Sequence, residues 1–416
     1  MKTTSSNRIR TSRSRIRPGA RVVWLTLLLV AVGACDDEGV GPGDERRPLD
    51  PQLVAEGKEI FRYDTFGDEA YWSDTLRMHE VVESAVSPEL ALQVGLKVDA
   101  DALPDAVKAA IAAGEVDLTD PATTLTLLEL DAVLGLSGEV EEVNGTRRLV
   151  RLGITCALCH STVDNSFAPG IGSRLDGWAN RDLNVGAIVA LSPAVPEELR
   201  AILNGWGPGR YDPRLNIDGL NTPIVIPPAF GLRDVALETY TGDGEVSYWN
   251  AYVAVTQMHG RGDFVDARLG ISIDVPDSED RVTDRLPALR EYQLSLTAPE
   301  PPAGSFDLAA AERGEELFED KARCVTCHVP DESFTDVNDG TLHEPSETGM
   351  DPAYAARTAT GLYRTTPLAG AWQHPPYFHD GSAATLADVV AHYDAELSLS
   401  LTEQERSDLA AYLQSL

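Results

Sequence analysis

The residues best placed to do chemistry are four cysteines and two histidines in one repeated pattern. Cys156-Ala157-Leu158-Cys159-His160 returns 168 residues later as Cys324-Val325-Thr326-Cys327-His328. Two thiols separated by two residues can add across the two vinyl groups of a haem. The histidine that follows then falls beneath the iron as an axial ligand. A zinc knuckle or a redox dithiol needs the paired cysteines but not the adjacent histidine, and the second copy of the whole pattern argues against both. The expectation is two covalently bound c-type haems, attached at Cys156, Cys159, Cys324 and Cys327, with His160 and His328 on the irons.

The elements that must position these motifs also repeat. Ala55–Phe61 and Ala311–Phe318 both read as the start of a helix, and Gly57 aligns with Gly314 as Phe61 does with Phe318. The first haem cysteine follows its glycine by 10 residues in the second copy and by 99 in the first, so an insertion over 62–150 separates them. The fold class expected is mainly α: two cytochrome c-like helical haem domains, 51–298 and 305–416, the first with a large mixed insertion. Leu296–Gly304, with three prolines, is the linker. Within the insertion, the aromatic stretch Asp64–Glu83 could be helical. Pro104–Ala113 and Pro121–Leu134 have helical spacing, and Val140–Val150 reads as a hairpin turning at Asn144-Gly145. The last helix opens on a capping box, Thr402 with Glu405, and offers Leu409, Tyr412 and Leu413 to the helix of Gly314 and Phe318.

The fifth cysteine has a different setting. Residues 1–34 read as a signal peptide: seven basic residues, no acid, then the apolar run Val22–Val32. Val32-Gly33-Ala34-Cys35 resembles the lipobox of bacterial lipoproteins, which implies lipid on Cys35, a flexible tether over 35–50 and a place on the periplasmic face of a bacterial membrane. The net charge is −32, and about −39 without the seven basic residues of the leader. Such a surface repels nucleic acid and suits a basic electron donor, such as a small cytochrome or a cupredoxin.

Over 298–416 the chain resembles the bacterial di-haem cytochrome c peroxidases and their relative MauG. The likeness is carried by Ala311–His328, Thr366-Pro367, Pro376-Tyr377-Phe378-His379-Asp380-Gly381, Thr385-Leu386 and the last helix, with a weaker echo in Asn221-Thr222-Pro223 and Gly242-Asp243-Gly244. The resemblance implies that electrons enter at the C-terminal haem and that hydrogen peroxide, or another small oxidant, reacts at the N-terminal one. Where the peroxidases carry a methionine as the second axial ligand, fourteen residues after the histidine of His-Asp-Gly, this chain has Tyr393, as MauG does. Met350 and His392 are the alternatives. The family's distal histidine near the first haem is missing: Ile171-Gly172 runs into Ser173, with Trp178 eighteen residues after His160. The first iron is then either open or closed by Met258 or His259. Trp178 is either a relay between haems or packing on the porphyrin edge. His379 either shapes the second haem pocket, bonded to a propionate, or serves as a ligand in one redox state. His79 reads as an ordinary core or surface residue and His374 as a loop residue. Peroxide reduction also needs an acid–base group; the sequence does not single one out, and Asp176 and Glu245 are guesses among many acids. Two other functions fit the same residues: a non-catalytic di-haem electron carrier, and a subunit of a membrane-associated redox complex.

Overall fold

Gly57 and Gly314 explain the internal repeat. Helix Pro51–Tyr63, capped by the Asp50 carboxylate, crosses helix Leu286–Ser295. Helix Leu308–Glu319, capped by Asp307, crosses helix Glu403–Ser415. At the first crossing a Cβ on Gly57 would lie 1.9 Å from the Ala288 carbonyl oxygen; at the second, a Cβ on Gly314 would lie 2.1 Å from that of Asp408. One turn on, Phe61 meets Tyr292 edge-on with ring centroids 5.4 Å apart, and Phe318 meets Tyr412 the same way at 5.2 Å, both at 63°. Of these four helices, only Leu286–Ser295 has no expectation from the sequence. Because each glycine meets backbone, no rotamer change relieves an added methyl. Gly57→Ala and Gly314→Ala are each expected to cost about 1–3 kcal/mol or more, read as a lower denaturation midpoint at unchanged slope.

The computed structural model describes residues 47–416, all within one compact unit; the leader, Cys35 and nearly all of the tether lie outside the described residues. Among the described residues strands pair only in two-stranded sheets, and no helix is long and apolar enough to cross a membrane.

The insertion is packed onto the first motif. Its hairpin, Leu136–Val143 with Thr146–Ile154, turns at Asn144 (φ 53°) and Gly145 (φ 78°), the left-handed pair such a two-residue turn requires. A bulge between Glu139 and Val140 gives the partner strand one extra residue, so Leu149 and Leu152, three apart, both point into the core. The aromatic stretch forms a π-turn, Ala70–Thr75, and a helix, Met78–Ala85, broken by Arg77 at φ 58°. Helix Asp105–Ala112 lies where its spacing placed it. Pro121–Glu129 stops short of the expected Leu134: Asp131 turns left-handed, and the amides of Asp131 and Ala132 bond back to Leu128 and Leu127. This turn frees Val133–Gly135 to reach the haem motif. Gly135 abuts the Leu158 backbone, where a Cβ would come within 2.1 Å, and Val98-Asp99 pairs in parallel with Ile171-Gly172. The loop after the first motif is therefore held by the insertion.

Candidate haem-binding sites

Both motifs present their histidines alike. Cys156 opens the short helix Ala157–His160, and the His160 Nδ1 lies 3.1 Å from the Pro227 carbonyl oxygen. Cys324–Thr326 forms a 3₁₀ turn entered through Arg323 at φ 52°, and the His328 Nδ1 lies 2.9 Å from the Phe334 carbonyl oxygen. A carbonyl can only accept, so each Nδ1 carries the proton and each Nε2 keeps its lone pair for a metal. Burial holds His160 neutral, down at about 4, and lowers His328 as well.

The thiols test the kind of group these residues suit. Burial pushes Cys156 and Cys159 up to about 12 and Cys324 up to about 11. Each motif joins two thiols to one neutral imidazole, short of the four ligands that structural zinc takes, and this set fits covalent haem. Cys327 does lie with Asp336 and His343 at metal-cluster spacing. Both His343 nitrogens are already taken, however, at 3.0 Å each by the Glu347 and Asp336 carboxylates. Cys327 and those two acids raise His343 to about 10, so it is an imidazolium with no lone pair to give.

Of the three candidates for the second axial position at the C-terminal motif, Tyr393 lies near both Cys324 and Cys327. Its phenol is pushed up to about 12 by burial and by the facing thiols of Cys324 and Cys327. Met350 packs elsewhere, with Ile224, Tyr354 and Tyr363. The His392 Nε2 is spent on the Thr348 carbonyl at 2.7 Å. His379 is buried, its Nε2 3.0 Å from the Tyr363 hydroxyl, which itself donates to the Asp351 carbonyl at 2.6 Å. His379 therefore donates to Tyr363 in an internal network.

Around the first motif the arrangement differs. Met258 is buried in the apolar cluster that also contacts Cys156, with its carbonyl held by the Trp72 indole at 3.1 Å. His259, at φ 64°, is stacked on Tyr71 with centroids 3.6 Å apart. His79 is partly buried with no hydrogen bond at Nδ1. Asp176 is not free for proton transfer: Arg62, Tyr292 and Ser161 bond its two oxygens at 2.5, 2.5 and 2.7 Å. Glu245 is exposed at the start of helix Val246–Tyr252. The acid that structure picks out is Asp68, fully buried, accepting from the Ile154 amide at 3.3 Å and close enough to raise the Cys156 thiol. No sequence signal marks it, because its burial comes from the insertion. Desolvation raises Asp68 to about 9. An unfolded aspartate releases its proton near 3.9, so folded Asp68 holds a proton that the unfolded chain loses. The contribution of Asp68 to stability therefore falls as pH rises from about 4 to about 9. Asp68→Asn is expected to flatten that decline, as read from denaturation midpoints at pH 5 and pH 9.

Trp178 spans the two halves. It meets Trp372 edge-on at 6.0 Å and Phe230 at 6.4 Å, while the Trp372 indole donates to the Pro299 carbonyl of the linker at 2.9 Å. His374 lies in the loop after the 3₁₀ turn Ala371–Gln373, as expected, and is buried there beside Phe230 and Tyr377.

The cytochrome c family profile matches residues 311–416. Methylamine utilization protein MauG of Methylorubrum extorquens is 28% identical over 275 residues, 50% of this chain and 75% of that protein. Cytochrome-c peroxidase IdrP1 of Denitromonas iodatirespirans is 28% identical over 151 residues, 26% of this chain and 40% of that protein. Among solved structures, a chain of Kuenenia stuttgartiensis hydrazine synthase overlaps 51% of this chain and 78% of its own, at 21% identity and a TM-score of 0.36. The C-terminal part is a cytochrome c domain, built for covalent c-type haem. The chain is similar to MauG over half of its length and to a cytochrome-c peroxidase over a quarter, and this likeness supports an oxidoreductase of the peroxidase and MauG kind.

Proposed function

We propose that this chain is an exported, lipid-anchored di-haem c-type cytochrome with peroxidase-like activity, composed of two cytochrome c-like domains. Electrons enter at the Cys324–Cys327–His328 site and peroxide reacts at the Cys156–Cys159–His160 site. The observation that carries this reading is the contrast between the two sites. Tyr393 faces the C-terminal cysteines. At the N-terminal motif His259 is turned onto Tyr71. In this reading Tyr393 would serve as the oxygen ligand at the C-terminal site, and the N-terminal site would be left for a small oxidant. The repeated helix crossings support haem at both.

Each haem, when bound, supplies an iron that exchanges single electrons and, where an axial position is free, can take up peroxide. The rest is done by side chains. Pro227 and Phe334 fix the tautomers of His160 and His328. Arg62 and Tyr292 hold Asp176, and through it Ser161 directly after the first motif. Asp68 keeps its proton at neutral pH near Cys156, within a dry part of the core. Trp178 and Trp372 provide an aromatic contact between the halves along which an electron can pass. The acidic surface favours a basic donor, small cytochrome or cupredoxin.

A specific observation favours a second reading. Met258 shares the cluster beside Cys156; were its sulfur to close the first site, the protein would be a non-catalytic electron carrier or a subunit of a membrane-associated redox complex. Absorption and EPR spectra of the ferric protein, before and after one equivalent of hydrogen peroxide, separate the two. A high-spin signal lost on adding peroxide is the expected result. Two low-spin signals indifferent to peroxide, even after half-reduction, would exclude the peroxidase.

A further inference from the structure

Two arginines at the junction of the halves are mismatched with the rest of the molecule. The chain carries a net −32, and other buried arginine side chains are matched to acids: Arg174 to Asp99, Arg214 to Asp243, Arg357 to Asp212, Arg364 to Glu238. Arg181 and Arg210, both partly buried, have no carboxylate within ion-pair distance among the described residues. The Arg181 guanidinium reaches the Pro376 carbonyl at 3.4 Å and sits beside Tyr240, while its buried Nε has no partner. Arg210 reaches the Asp380 carbonyl through two long contacts, 3.3 and 3.4 Å. The two cations repel one another, and the Arg181 charge is also felt by His374, which is itself buried with an unpartnered Nδ1.

The position is informative. Arg181 follows Asn180, whose amide donates to the Cys159 carbonyl at 2.9 Å. Pro376 and Asp380 belong to the His379 loop of the C-terminal half. Two guanidiniums taken partly out of water, without an anion, are costly in an acidic chain that pairs such groups elsewhere. A guanidinium fork matches a carboxylate with two parallel hydrogen bonds.

We propose that Arg181 and Arg210 form a carboxylate-binding site that receives a haem propionate at the junction of the two halves. This rests on the reading that both motifs carry haem. The carboxylate is the anionic part of an otherwise apolar group, and it supplies the charge this cluster lacks.

The test uses the holoprotein and Arg181→Gln, Arg210→Gln, Arg181→Lys and Arg210→Lys. Pyridine haemochrome assay first counts haems; fewer than two per wild-type chain overturns the di-haem reading and this proposal with it. With two haems present, resonance Raman should show the propionate-bending band shifted in the glutamine variants. The midpoint potential of one haem should fall, because a cation that disfavours the ferric charge is gone. The lysine variants should keep the potential better than the band, and they carry the test if the glutamine variants do not fold. Two haems with an unshifted band and unchanged midpoints would overturn the site alone. Stabilisation of wild type by added acetate, lost in Arg181→Gln while the band stays put, would overturn it in favour of a free carboxylate.

Discussion

Tyr393→Met is expected to raise the midpoint potential of the C-terminal haem by on the order of 0.1–0.3 V, and Tyr393→Phe to convert that iron from low to high spin. The phenol faces both cysteines of the motif, and the two other candidates are engaged: Met350 in a different apolar cluster, His392 on a backbone carbonyl. A phenolate is anionic and hard, and so stabilises ferric iron. A thioether is neutral and soft, and favours the ferrous state. Phenylalanine leaves the position without a donor. Spectroelectrochemical titration with EPR at each step reads both effects. An unchanged low-spin signal in Tyr393→Phe would show that another residue holds the position. The N-terminal signal should not move, because Tyr393 lies in the cytochrome c domain.

The second large effect concerns the connection between the halves. Arg357→Leu should cost about 3–5 kcal/mol, because it leaves a buried carboxylate unpaired. Arg357 is 4% exposed and Asp212 not at all. The guanidinium bonds Asp212 at 2.9 Å, Asp218 at 2.8 Å and the Leu220 carbonyl at 2.9 Å, and it also meets the Thr222 hydroxyl. Asp212 in turn receives the amides of Arg214 and Thr222, and nearby Asp243 receives those of Ala359 and Thr360. The Asn221-Thr222-Pro223 and Gly242-Asp243-Gly244 segments, a faint echo of the C-terminal motif in sequence, are thus where the first half grips the second. The check is thermal denaturation followed at each haem's absorption, in which Arg357→Leu should lower and separate the two transitions. Adding Asp212→Leu should recover part of the loss, since the stranded charge goes with it. Arg357→Lys should recover little, having no fork.

What the sequence by itself determined is what neighbouring residues dictate. The two five-residue haem motifs, the Asn144-Gly145 turn, the Thr402–Glu405 capping box and the Gly-and-Phe repeat are each complete within one or two helical turns, so their chemistry shows without the fold. The capping box and turn have the expected geometry. What the tertiary structure decided depends on segments far apart in the chain. It set Tyr393 near the cysteines while His392, its neighbour, went to Thr348. It closed Asp176 off with Arg62 and Tyr292, and buried Asp68 by folding the insertion over it. It ended the Pro121 helix at a left-handed Asp131, so that Gly135 could meet Leu158. It also left Arg181 and Arg210 without an acid at ion-pair distance among the described residues, in a chain full of acids. Burial and partner choice are properties of packing, and sequence carries them only through contacts between residues 114 apart, as for Arg62 with Asp176, or 194 apart, as for Trp178 with Trp372. Local pattern therefore names the cofactor, and packing chooses which side chains meet it.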